Sequence, residues 1–181
     1  NPNKLGEMIK IGRRGSISGT IMVSGSQGHV AYPHLSNNPI NTLVKICKKL
    51  NEKKLDKGNK NFQPSNLEFT GIYVDNKAHN VIPSSAKTQF NIRYNNIHTA
   101  SSLRKKVNTI IKNICKKNKC KFTINYDING DAFLTKPEKT IYMAKKIIKK
   151  ITKINPKFGT TGGTSDARFI KKISPCLEFG L

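Results

Sequence analysis

Apolar residues recur in two rhythms along the chain, period two in some blocks and helical spacing in others. Met8-Ile9-Lys10-Ile11 is strand-like, and beyond Gly12-Arg13-Arg14-Gly15 the stretch from Ser16 to Val23 continues extended. Gly28 to His34 predicts a loop, because Pro33 and its polar neighbours break any period. Pro39 then opens a helix whose apolar face is Ile40, Leu43, Val44, Cys47 and Leu50. A polar connector at Lys57–Asn61 leads to a strand from Leu67 to Val74. After a turn at Asp75–Asn80, the apolar series Ala86, Thr88, Phe90, Ile92 and Tyr94 alternates with Lys87, Gln89, Asn91 and Arg93, the pattern of a half-buried strand. Ser101 or Ser102 is the expected N-cap of a second helix, with Leu103, Val107, Ile110, Ile111 and Ile114 on its face. Lys121 to Tyr126 alternates again.

The order from Ser16 to Tyr126 is thus β-α-β-β-α-β, the ferredoxin-like arrangement of an antiparallel sheet with both helices on one side. Asn129-Gly130-Asp131 marks a boundary. Beyond it Pro137 opens a third helix with Ile141, Ala144, Ile147, Ile148 and Ile151 on one side, followed by the loop Gly159–Asp166, a short helix at Ala167–Ile170 and a strand at Pro175–Phe179. A helix, a Gly-rich loop and one strand do not close a core, so this tail is expected to belong to a second domain. The start, Asn1-Pro2-Asn3-Lys4, is neither a signal peptide nor an initiating Met, which leads to the expectation that the chain is a piece of something longer.

Composition changes this picture little. The 181 residues carry 33 Lys+Arg against 10 Asp+Glu, a formal charge of +23. Such a charge suggests an anionic partner. The excess is mostly Lys, spread over helices among many Asn and Ile, and Arg, the better bidentate phosphate ligand, is scarce. The solvated-face reading is therefore preferred. No apolar run approaches the roughly 20 residues of a membrane-spanning helix. Cys47, Cys115, Cys120 and Cys176 form no C-x-x-C pair and have no His at zinc-finger spacing, so no metal role is expected of them, and without a secretory signal reduced thiols in a cytoplasm are the expectation.

The β-α-β-β-α-β order also serves RNA recognition, which uses exposed aromatics on a central strand. Here Phe90 and Tyr94 share the phase of Ile92, the core face, so stacking on bases is not expected and no specific nucleic acid is assigned. A dimerisation module without chemistry is the other alternative.

Six blocks appear in one order: Gly12-Arg13-Arg14-Gly15-Ser16, Gly28-His29-Val30-Ala31-Tyr32-Pro33-His34, Asn38-Pro39, Asn80-Val81-Ile82-Pro83, Phe90-Asn91-Ile92-Arg93, and Thr160-Thr161-Gly162-Gly163-Thr164-Ser165-Asp166-Ala167-Arg168-Phe169. Together they resemble the zinc aminoacylase and carboxypeptidase family, in particular its members that remove a succinyl group from an amine. The resemblance implies an α/β catalytic domain with two zinc ions (cobalt as the alternative metal), interrupted by a ferredoxin-like lid that makes a homodimer. Residues 1–15 and 128–181 would be pieces of that catalytic domain and residues 16–127 the lid. It further implies amide hydrolysis of a small tricarboxylate substrate. The family's general base and metal ligands fall before Asn1 or after Leu181, and His29, His34, His79 and His98 match no ligand position. The expectation is a chain that ligates no metal and is inactive alone.

By the same resemblance His29 reaches into a partner's active site and donates to the developing oxyanion. Tyr32 and Asn80 assist it. Lys10, Arg13, Ser16 and Arg93 would hold substrate carboxylates, and Gly163 and Thr164 would contact substrate through a loop whose backbone is open to close approach. Arg14 is expected to face solvent, and Asp166 to pair with Arg168.

Overall fold

The computed structural model describes residues 4–180; Asn1–Asn3 and Leu181, the outer ends of the two expected flanking segments, lie outside the described residues. Two short strands, β1 (Met8–Lys10) and β2 (Gly12–Arg13), precede the long β3 (Gly15–Ser24). Next comes β4 (Gly28–His29) and a 3-10 turn at Pro33–Leu35, then α1 (Pro39–Glu52), β5 (Asn66–Tyr73), β6 (Val81–Ile82) and β7 (Ser85–Tyr94). The remainder is α2 (Ala100–Lys117), β8 (Lys121–Gly130), β9 (Phe133–Leu134), α3 (Lys139–Thr152), β10 (Lys157–Gly159) and α4 (Ala167–Ile170).

The four long strands form one sheet in the order β5-β7-β3-β8, with every neighbour antiparallel. With α1 and α2 packed on one face, this is the ferredoxin-like arrangement expected from periodicity. The core lies between sheet and helices: Ile17, Ile21, Val23, Phe90, Ile92 and Tyr94 meet Leu43, Ile46, Leu103, Val107 and Ile111. Phe90 and Tyr94 are 1% and 0% exposed, so neither offers a face to a base.

Local chemistry sets the helix ends. Asn38 caps α1 by accepting from Ile40 N at 2.9 Å, with Pro39 in the first turn. The cap of α2 is Thr99, not Ser101 or Ser102. Its hydroxyl accepts from Ser102 N (3.2 Å) and its N–H donates to Ser102 Oγ (3.1 Å), a reciprocal capping box. The inner face of α1 is also rotated from the expected one. Ile46 is fully buried and Val44 is 57% exposed. The true stripe runs through the buried Thr42, whose hydroxyl lies 3.2 Å from Cys120 Sγ; a polar residue in the seam hid the phase.

Outside this sheet, β1 pairs with β10 in parallel and β2 with β9 antiparallel. Ile9, Ile11 and Ile141 form a second, small core with Leu134, Ile148, Phe158 and Leu177 against it. Helix α3 starts at Lys139 rather than Pro137, and of its expected face only Ile141 is buried, with Ile147 and Ile151 52% and 74% exposed. The strand expected at Pro175–Phe179 is reduced to one bridge between Glu178 and Lys10. No described helix is long and apolar enough to cross a membrane.

Candidate functional site

The predicted site residues fall into three groups on this frame. The first gathers where β1 and β2 meet the Gly-rich loop after β10. Lys10 is 7% exposed and its Nζ donates to Thr161 Oγ1 at 2.6 Å. Burial, with the Arg13 charge beside it, lowers the Lys10 pKa from the ordinary lysine value, and Glu178 offsets part of this. Arg13 donates through Nε to Glu178 Oε2 at 2.5 Å and through Nη1 to the Thr161 carbonyl at 3.0 Å. Glu178 was not foreseen: its bridge to Lys10 lies 168 positions away in sequence, beyond any periodic signal. Gly162 sits at φ +105°, and a Cβ there would collide with Arg13 Nη1, so only glycine lets the guanidinium lie under the loop. At Gly163 the space around a Cβ position is open. Thr164 is half-buried beside it.

The second group lies on the face of the sheet away from the helices, at the Gly15 end of β3. Ser16 is fully buried there and accepts from Asn91 Nδ2 at 3.2 Å. Arg93 stands opposite both Ser16 and Asn66 in the register. Arg14 does not face solvent. Alternation along an extended chain puts it on the same side as Ser16, where its Nη1 donates to Asn66 Oδ1 at 2.9 Å. In the Gln63 amide orientation that satisfies both of its ends, the amide oxygen accepts from Arg14 Nη2 (2.9 Å) and Nη1 (3.0 Å).

The third group is the His29 loop. It is not wholly irregular: Gly28 and His29 pair with Ile82 and Val81, and Val30 N donates to the Asn80 carbonyl at 3.0 Å. The loop is closed at its base by Ser26 and Asn37, which exchange backbone hydrogen bonds. His29 is exposed, and its Nδ1 accepts from Ala31 N at 3.1 Å. An Nδ1 that accepts leaves the neutral ring's proton on Nε2, which is therefore a donor. Tyr32 is 56% exposed with its ring 6.0 Å from that of His29 and 6.4 Å from that of His34. The loop thus carries His29 and Tyr32 beside the backbone of Asn80, and His79 next to it in sequence is exposed.

The third group is remote from the other two. Arg13, Arg14 and Arg93 sit at the Gly15 end of β3, and the His29 loop emerges past Ser24 at the other end. Ten extended residues separate them, about 30 Å at the usual rise per residue. Within one chain, His29 and Arg13 do not face the same small molecule.

One further expectation needs correction. Asp166 and Arg168 form no ion pair; the Arg168 guanidinium lies over the Phe169 ring, 4.6 Å from its centroid. Among the described residues no group of three or more His, Cys, Asp or Glu could hold a metal ion. His98 is instead buried against Asp56, its Nε2 3.2 Å from Oδ2. Asp56 also accepts from Gly58 N (2.6 Å), Ser65 N (3.2 Å) and Asn95 Nδ2 (2.8 Å), a network that fastens the 53–65 connector.

A family model described as a peptidase dimerisation domain matches residues 11–119. The chain is 61% identical over 181 residues to the succinyl-diaminopimelate desuccinylase of Pelagibacter ubique, covering 100% of this chain and 47% of that protein. It is 50% identical over 178 residues to the protein of the same name from Rickettsia bellii, covering 98% and 46%. Among solved structures, a tripeptidase from Staphylococcus aureus superposes with a TM-score of 0.81 at 14% identity, over 99% of this chain and 46% of that one. Aminopeptidase PepT from Bacillus cereus gives 0.77 at 15% identity, over 95% and 44%. At those identities the likeness to solved structures is one of fold. The chain spans about half the length of the curated relatives it matches.

Proposed function

Because this chain belongs to the peptidase dimerisation domain family, we propose that it is the dimerising lid, with flanking segments, of a metal-dependent amidohydrolase. The reaction is hydrolysis of N-succinyl-L,L-2,6-diaminopimelate to succinate and L,L-diaminopimelate, a step toward lysine carried out in the cytoplasm. Residues 16–127 are the lid; 1–15 and 128–181 are pieces of the catalytic domain. The exposed Ile147 and Ile151 of α3 fit a segment that rests on them in the longer protein. The described residues do not suit a metal pair. Two zinc ions, or cobalt in their place, are assigned to other parts of the enzyme, where they would polarise the amide carbonyl and activate water.

This chain's own contribution is to bind and to donate. The substrate carries three carboxylates, and Lys10, Arg13 and Arg93 supply cations on one side of the lid, with Ser16, Gly163 and Thr164 beside them. His29 supplies its Nε2–H to the oxyanion that forms on the amide oxygen, a contribution of about 3 kcal/mol for a well-placed donor. Tyr32 and Asn80 hold the loop that presents it.

The observation that carries the reading is the separation of His29 from the cationic end of its own sheet. A second copy resolves it. The edge strand β5 runs from Asn66, opposite Arg93, to Tyr73, opposite Lys87 at the His29 end. Its outer part exposes Ile72 and Tyr73, next to a groove lined by Val44, Cys47, Phe69 and Val74. Two copies joined along β5 about a two-fold axis normal to the sheet pair antiparallel. Each then brings its Tyr73 end, with its His29 loop, beside the other's Asn66 end. The homodimer thus completes the site in trans.

The test is a polypeptide of the relatives' full length, supplied with zinc and N-succinyl-L,L-2,6-diaminopimelate. Release of succinate is expected, and its absence refutes the substrate assignment.

A further inference from the structure

The charge balance at the Gly15 end of β3 is uneven. Arg13 has a carboxylate, Glu178, at 2.5 Å. Arg14, its neighbour on the opposite side of the strand, has none among the described residues. Its hydrogen-bond partners are the side-chain amides of Asn66 and Gln63, and its Nε is buried with no partner. Beside it stands the guanidinium of Arg93, for which the described residues supply no ion pair. Glu68, two residues from Asn66 on β5, bonds the Asn66 amide nitrogen at 3.3 Å rather than a guanidinium. Burial, and after it the Arg93 charge, lowers the Arg14 pKa from the ordinary arginine value. Two like charges, one with a desolvated N–H and both without a counter-ion, destabilise the resting fold. Folds retain such conflicts chiefly where a ligand relieves them.

We propose that Arg14 and Arg93 form a paired guanidinium seat for one carboxylate of the substrate, with Arg14 a specificity-determining residue held in place by Asn66 and Gln63. The planar fork of Arg14 has an unused N–H edge, and a carboxylate bridging the two side chains takes up that donor and offsets both charges. The seat lies on the open face of the sheet, on the side of the chain away from the Arg13–Glu178 pair. What it adds is Arg14 beside Arg93, which was already assigned to a substrate carboxylate, at a place apart from the contacts of Lys10 and Arg13. This inference rests on the desuccinylase reading for the identity of the ligand, but the carboxylate seat itself is testable without turnover.

The experiment is titration of the 181-residue chain with succinate, followed through the arginine Nε–Hε resonances. A saturable shift of the Arg14 resonance is expected, weakening as chloride is raised. Arg14→Gln is expected to weaken succinate binding about tenfold or more, and Arg14→Lys to recover only part of the loss, because an ammonium keeps the charge without the fork. The backbone amide spectrum reports folding; should Arg14→Gln unfold, the Arg14→Lys comparison carries the test. An Arg14 resonance that does not move with succinate, or an unchanged dissociation constant in the variants, overturns the proposal. The two readings separate cleanly. Succinate binding through Arg14 without desuccinylation by the full-length protein keeps this inference and removes the substrate assignment. Desuccinylation with KM unchanged in Arg14→Gln does the reverse.

Discussion

Arg13 donates through Nε to Glu178 Oε2 at 2.5 Å, across 165 positions of sequence. Both side chains are largely shielded, 17% and 25% exposed. The Arg13 cation is thus already balanced, and its position is fixed before any ligand arrives. Glu178→Gln keeps the shape and removes the charge. It is expected to lower stability by roughly 1.5–3 kcal/mol, the scale of a hydrogen bond to a charged group, read from urea unfolding. In the full-length enzyme the same variant is expected to lower KM, because a substrate carboxylate no longer competes with an internal one.

The rotated face of α1 gives a second expectation. Ile46 is fully buried and Val44 is 57% exposed. Ile46→Ala should cost about 2–4 kcal/mol as a core truncation, while Val44→Ala should change the unfolding free energy of a monomer by less than about 0.5 kcal/mol. Val44→Lys should instead weaken the dimer, seen as a shift toward monomer in light scattering, since Val44 lines the groove beside β5.

Much of this fold could be read before any coordinates, and the misses have local causes. Ala86, Phe90 and Tyr94 announced their strand by strict alternation, and Gly12 to Ser16 and Thr160 to Phe169 carried the family resemblance. Where a polar residue occupies the seam, as Thr42 does, period alone set the wrong face. Ser102 was visible as a cap candidate, but it acts as the second half of a box opened by Thr99. Glu178 and the amides that hold Arg14 were illegible, because each partnership joins segments with no shared rhythm. Alternation from Arg13 sends Arg14 to solvent, yet on the open side of the sheet its guanidinium is half-buried and held by the amides of Asn66 and Gln63.

The Asp56 network gives a pH dependence with a definite sign. Burial raises the Asp56 pKa, but hydrogen bonds from Ser65, Gly58 and Asn95 outweigh it and hold the carboxyl below its ordinary value. A depressed folded pKa stabilises the fold above the unfolded-state value of about 4, and that contribution is lost as pH falls below it. Wild-type chain should therefore lose unfolding free energy on acidification through that window. Asp56→Asn should be less stable at pH 7 by roughly 2 kcal/mol and flatter below pH 4, as measured by chemical denaturation at a series of pH values.

The central claim is that one copy's His29 serves the cationic end of another. In the full-length enzyme, His29→Ala and Arg13→Ala homodimers should each be nearly inactive. Unfolded together and reassembled, equal amounts give mixed dimers in which one of the two sites has Arg13 from one copy and His29 from the other. Recovery of about one quarter of wild-type kcat/KM is predicted, since half the dimers are mixed and each has one intact site. No activity above that of the separate variants would contradict the account, because it would mean that His29 and Arg13 act within a single chain or not together at all.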